Sequence, residues 1–234
     1  MHICLLDIDG TLLLTGGAGQ NAFAQTLAED FGITEIIHQV MFAGRSDRAI
    51  AMELFQLHGV AETTENWERF CVGYLSRLEA ALHAHQGFVL PGAAGLVTTL
   101  AARDDVALGL LTGNVRGGAK RKLVHYDLWH PFAFGGYGDD HVHRNDIAAS
   151  ALAAAHEHIA LGANGIAKNG KKPNGRVIVV GDTQHDVTCG RSIGALCVAV
   201  PTGHTKADEL RQTNPDVLVE TLEDIGPILA LLDA

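Results

Sequence analysis

The sequence is poor in features that would point to whole classes of function. It has no run approaching the roughly 18 to 20 apolar residues of a membrane span. Its four cysteines, at positions 4, 71, 189 and 197, form no CxxC pair. That spacing suits neither a disulfide framework nor a zinc ribbon, and it points to a reducing, cytoplasmic setting. Positive charge is also scarce. A formal net charge of -10 opposes non-specific attraction to nucleic acid or anionic lipid, so neither is expected as a partner. The first apolar run meets Asp7 after a few residues and is too short for a signal-peptide core.

The 234 residues are 47% hydrophobic and 19% charged, which describes an ordinary folded chain. Length alone allows one domain plus a smaller inserted one. Short apolar runs without alternation, at Ile3–Leu6, Val106–Leu111, Arg176–Val180, Leu196–Val200 and more weakly Asp216–Val219, read as strands buried on both faces. Helical patterns begin near Ala93, Gly118, Asp146 and His185. The alternation implies an α/β fold, a doubly wound parallel sheet. Residues 14–87 interrupt it with helices and no convincing strand. Phe23, Leu27 and Phe31 recur at helical spacing. Ile50, Leu54 and Leu57 form a second stripe, with Ser46 placed to cap it and Gly59 to stop it. Trp67, Phe70, Cys71, Tyr74, Leu75, Leu78 and Leu82 form a third, read as helix–helix packing. The expected division is a core of 1–13 and 88–234 with a helical domain at 14–87.

Ligands of open α/β sheets bind beyond the carboxyl ends of the strands. The first strand here ends in Asp7-Ile8-Asp9-Gly10-Thr11, another in Leu111-Thr112-Gly113-Asn114, and a third in Val180-Gly181-Asp182-Thr183-Gln184-His185-Asp186. Acidic and small polar residues from distant segments would thus converge on one rim. Two carboxylates one residue apart repel each other and are costly to bury. A divalent cation between Asp7 and Asp182 would offset that cost, and oxygen-only ligands favour Mg²⁺.

This set resembles the haloacid dehalogenase (HAD) superfamily, in particular its phosphoglycolate-phosphatase-like members with a helical cap inserted after the first strand. DIDGT at 7–11, LLTGN at 110–114 and VVGDTQHD at 179–186 carry the resemblance. It implies a HAD-like Rossmannoid core and a Mg²⁺-dependent phosphatase acting on a small phosphorylated metabolite, as a monomer or homodimer. Asp7 would be the nucleophile that forms an aspartyl-phosphate. Asp9 would protonate the leaving alcohol and later take a proton from water, its main-chain carbonyl adding a metal ligand. Gly10 would let backbone N–H groups face phosphate oxygens. Thr112, with the backbone around Gly113 and Asn114, would add further hydrogen bonds. Asp186 would hold a metal-bound water or position a nearby cation.

The family's lysine, usually followed by proline, is replaced at its expected place by Arg144, in DDHVHRNDI at 139–147. Lys171 and Lys172, in GKKP, are the alternatives, although they abut the following strand. GIAKNGKK at 165–172 lacks the final Ser/Thr and the strand–loop–helix context of a nucleotide loop and reads as a surface loop. GGAGQN at 16–21 reads as a hinge into the cap. Most of the thirteen histidines read as surface residues, with His141 and His185 nearest the motifs. Arg45 on the cap is a candidate for substrate specificity, against the alternative of a helix-start surface charge. A phosphonatase would want a cap lysine, and residues 14–87 contain none. A sugar phosphomutase and a non-catalytic phosphate-binding or regulatory module are the rival functions.

Overall fold

In strand β1 (His2–Leu6), successive side chains alternate between two faces, and both faces are buried. Cys4 and Leu6 join one hydrophobic cluster, while Ile3 and Leu5 join another. A run of apolar residues without polar alternation is what such a doubly covered strand requires. Each fully buried leucine contributes about 1.5–3 kcal/mol. The computed structural model describes residues 1–35, 40–161 and 175–233.

After β1 comes a two-residue strand, β2 (Leu13–Leu14), and then helices α1 (Ala18–Phe31), α2 (Asp47–Leu57) and α3 (Thr64–Ala84). The chain returns through β3 (Phe88–Val89) and alternates from there. The succession is α4 (Ala93–Ala101), β4 (Val106–Leu111), α5 (Arg116–His125), β5 (Phe134–Gly136), α6 (Arg144–Leu161) and β6 (Val177–Gly181). It closes with α7 (Gln184–Ser192), β7 (Leu196–Ala199), α8 (Ala207–Gln212), β8 (Val217–Leu218) and α9 (Gly226–Asp233). The main sheet is parallel with strand order β5-β4-β1-β6-β7-β8. Helices α4, α5 and α9 cover one face through Leu96, Leu123 and Ile228. Helix α6 covers the other through Ile147, Ala151 and Ile159. This is the doubly wound α/β fold expected from the sequence. No helix among the described residues is long and apolar enough to cross a membrane.

The helical insert has its own core. Phe23, Leu27, Leu54, Phe55, Phe70, Tyr74 and Leu78 are buried together. Phe70 lies 4.6 Å from Phe23 and stacks on Tyr74 at 5.9 Å between ring centroids. Such aromatic pairs add to the area they bury. Ser46 caps α2 as expected, accepting from the Ala49 amide at 3.1 Å. Leu57, expected in the apolar stripe of that helix, is instead 56% exposed. Arg77 ties α3 to α1 through Glu29 at 2.8 Å and Asp30 at 2.9 Å.

Two findings depart from the sequence reading. Leu14 belongs to a strand, because β2 pairs antiparallel with β3, Leu13 opposite Val89 and Leu14 opposite Phe88. The outgoing and returning chains therefore meet at one place. Gly16, at φ 63°, is needed there: a Cβ would lie 2.3 Å from the Gln86 carbonyl oxygen. Strand β5 was also not among the expected strands. Two of its three residues are glycine, which gives no apolar signal.

Candidate active site

Asp7 follows β1 directly, and its amide still donates to the Val180 carbonyl at 3.0 Å, so the sheet ladder fixes its position. Asp182 follows β6 and accepts from Thr11 Oγ1 at 3.1 Å. Gly10 turns the chain beside it at φ 86°, where a Cβ would stand 2.4 Å from Asp182 Oδ2. Asp186 lies in the first turn of α7. Its Oδ2 accepts from the Thr183 amide at 3.0 Å and hydroxyl at 2.6 Å, completing a capping box. Arg144 opens α6, pairs with Asp186, and places Nη2 3.6 Å from Asp7 Oδ2.

Carboxylate oxygens of Asp7, Asp182 and Asp186 all lie within 4.8 Å of one another, and all three residues are buried. Ionised, they carry two negative charges beyond what Arg144 balances. Burial pushes the Asp7 carboxyl up, with Arg144 opposing and Asp186 adding to the rise. Burial also raises Asp182, reinforced by Asp186 and then by Asp7. An all-oxygen donor set with two uncompensated charges fits a hard divalent cation such as Mg²⁺. Arg144 Nε is buried with no hydrogen-bond partner, a donor left for an anion.

A second group stands beside the first. Asp9 Oδ1 and Oδ2 accept from Lys122 Nζ at 2.8 and 2.7 Å, and Oδ2 accepts from Asn114 Nδ2 at 2.7 Å. Asn114 Nδ2 also donates to Thr112 Oγ1 at 2.8 Å, and Asn114 Oδ1 accepts from Lys122 at 2.6 Å. The insert closes over this rim. The Asp47 amide donates to the Gly113 carbonyl at 2.8 Å, and Asp47 Oδ2 accepts from the Val115 amide at 2.8 Å. Ser46 Oγ donates to the Val142 carbonyl at 2.9 Å. Burial lifts the Asp47 carboxyl to about 6, with Lys122 the main opposing charge. Between insert and rim lies a cavity of about 420 Å³. Asp7, Asp9, Thr112, Arg144 and Asp182 line it from below, and Phe23, Phe42, Arg45 and Tyr74 from above.

Residues 146–225 match the family model described as HAD-hydrolase-like. In that segment the chain is similar to the HAD-like hydrolases. A curated relative from Dickeya dadantii, described as "Probable phosphatase IndB", is 28% identical over 170 residues, which cover 67% of this chain and 68% of the relative. Among solved structures, CbbY from Rhodobacter sphaeroides in complex with phosphate superposes with a TM-score of 0.71 at 18% identity, covering 99% of both chains. A predicted phosphoglycolate phosphatase from Haemophilus somnus gives 0.67 at 15% identity, covering 97% of both.

The residues singled out by sequence meet on one rim, and several have specific partners there. Thr112 Oγ1 accepts from the Asn114 amide at 3.3 Å as well as its side chain, so the hydroxyl proton remains to be donated into the cavity. The sequence suggests the backbone at Gly113 and Asn114 as a phosphate contact. In addition, the Gly113 carbonyl docks the insert and the Asn114 side chain joins Thr112, Asp9 and Lys122. Both Asp186 oxygens are engaged, by Thr183 and by Arg144, which favours the cation-positioning role over the water-holding one. Arg45 faces the cavity but is paired with Glu53 at 2.5 Å. Arg144 reaches the site, whereas Lys171, Lys172 and the 165–172 loop lie outside the described residues. His141 bonds Ser150 Oγ at 2.8 Å and is not among the residues that line the cavity.

Lys122 was missed. It belongs to RGGAKRKL, a basic stretch that fills most of α5, with Lys122 in the last turn. Yet it lies three residues after Ala119 and seven after Val115, both buried, on the inward stripe of α5. That spacing was the available signal.

Proposed function

We propose that this chain is a Mg²⁺-dependent phosphatase that hydrolyses a small phosphomonoester, phosphoglycolate-like in size, through an aspartyl-phosphate on Asp7. One observation carries the reading: Asp7 and Asp182, two of three clustered buried carboxylates, line one cavity with a guanidinium that has a spare donor. The likeness in fold to CbbY, solved with phosphate, supports it. Asp7, Asp182 and the main-chain carbonyl of Asp9 would hold Mg²⁺, while Asp186 fixes Arg144. Bound there, Mg²⁺ supplies charge screening that lets an anionic nucleophile approach a phosphate.

Arg144 and the Thr112 hydroxyl hold the phosphoryl oxygens. Asp7 attacks phosphorus as Asp9 gives a proton to the departing alkoxide. Water then attacks the aspartyl-phosphate, losing its proton to Asp9, and phosphate leaves. The helical insert acts as a cap that excludes bulk water and shapes the leaving-group space. All four cysteines are free, which agrees with a reducing cytoplasm, where a monomer or homodimer would act.

A panel of small phosphate esters, assayed with Mg²⁺ and with chelator, tests the reading. Phosphate release that needs Mg²⁺ and vanishes in Asp7→Asn is expected. An isomerised sugar phosphate without net phosphate release would replace it with the phosphomutase. No turnover of any ester would leave the non-catalytic module.

A further inference from the structure

We propose that Lys122 is a positioning residue for Asp9, leaving that carboxylate a single open acceptor position, on Oδ1, for proton exchange. The inference rests on the phosphatase reading above. An ionised carboxylate has about four acceptor positions. Lys122 fills one on each oxygen, at 2.8 and 2.7 Å, and Asn114 fills the second on Oδ2. One position on Oδ1 remains, on a side chain 41% exposed toward the cavity.

The donors are as fully committed as the acceptors. The third Lys122 proton goes to Asn114 Oδ1 at 2.6 Å, and the two Asn114 Nδ2 protons go to Asp9 and Thr112. Lys122 therefore lines the cavity with no proton left for a substrate phosphate, and it acts through Asp9 instead. Its foundation is rigid. Lys122 is 5% exposed, and its helix neighbours Ala119 and Leu123 are packed into the sheet-side core. A buried ammonium without partners would be strongly penalised, so the pairing fixes both groups.

The proton traffic balances at that one position. In the first half-reaction the ester P–O bond breaks as the bond from Asp7 to phosphorus forms, and the Oδ1 proton passes to the alkoxide. In the second, the water oxygen bonds to phosphorus, the Asp7–phosphorus bond breaks, and a water proton returns to Oδ1. Ester and water become alcohol and phosphate, with Asp9 restored.

The test compares kcat/KM for glycerol phosphate and p-nitrophenyl phosphate with Mg²⁺, in wild type, Lys122→Met and Lys122→Gln. This ratio reports steps up to departure of the leaving group. A nitrophenolate departs without a proton, whereas an alkoxide needs one. Either variant should lose ~10²-fold with glycerol phosphate and under ~5-fold with the nitrophenyl ester. Asp9→Asn/Lys122→Met should be no worse than Asp9→Asn alone, because groups acting as a unit are not additive. Circular dichroism identifies a variant that fails to fold, in which case the other decides. Equal losses on the two esters overturn the role of Lys122 while leaving the phosphatase reading intact. Wild-type turnover that survives Asp7→Asn overturns both.

Discussion

Asp7 and Asp9 stand two residues apart on one loop, and the protein surrounds them with opposite charge. Asp7 is buried beside Asp182 and Asp186, with Arg144, among the described residues, the one cation paired to this group. Asp9 opens to the cavity with a lysine ammonium on both its oxygens. Identical side chains are thus given one site that collects cations and one that is already neutralised. On the proposed mechanism, environment rather than sequence position separates the nucleophile from the proton carrier.

Breaking the Asp7 side should have the largest effect. Asp7→Asn keeps the shape and removes the proposed nucleophile, so phosphate release should fall at least ~10⁴-fold, about 5.5 kcal/mol of barrier. Retained turnover would mean that the two aspartates do not differ as described. Arg144→Met should come next. Removing a paired cation from a buried anionic cluster costs about 3–5 kcal/mol, measurable by urea unfolding, and adding Mg²⁺ should recover part of it. Unchanged stability would show that the cluster is already protonated and that Arg144 balances nothing.

Acidity sharpens the same contrast more gently. Folding raises the pKa of Asp7 and of Asp182, so the native state holds more protons than the unfolded chain above the ordinary carboxylate range. Their contribution to stability is therefore full on the acid side of that window and is lost as pH rises through it. The slope is at most about 1.4 kcal/mol per pH unit for each proton. Thermal midpoints in chelator should show this fall, and midpoints in Mg²⁺ should flatten it, because the metal needs both groups deprotonated. Equal slopes would show that the metal does not engage these carboxylates. The smallest effect is expected at Asp47, held up at about 6 where the insert meets the rim. Asp47→Asn keeps an acceptor for the Val115 amide and removes a disfavoured charge, so stability at neutral pH should rise by ~1 kcal/mol or less. A loss there would show that its attraction to Lys122 outweighs burial.

How much of this could be read in advance followed the strength of local pattern. Strands β1, β4 and β6 were legible because parallel strands covered on both faces are continuous apolar runs. The Ser46 cap was legible because capping is a local contact. Strand β5 was not, since Phe134-Gly135-Gly136 draws its pairing from Gly109 to Leu111 across the sheet. The rim motifs were visible as residues at strand ends. The partners of Asp9 were not, because Lys122 is 113 positions away in sequence and lies within a basic stretch. Charge alone does not show which lysine on a helix points inward.

The ribbon of β2 and β3 has a consequence for how such a molecule can diversify. Since both connections leave the sheet side by side, whatever hangs from them is a cassette. It can be lengthened, shortened or exchanged without moving any strand that carries a carboxylate. Selection can then retool which ester is admitted while the chemistry beneath stays put, and an engineer could graft there for the same reason.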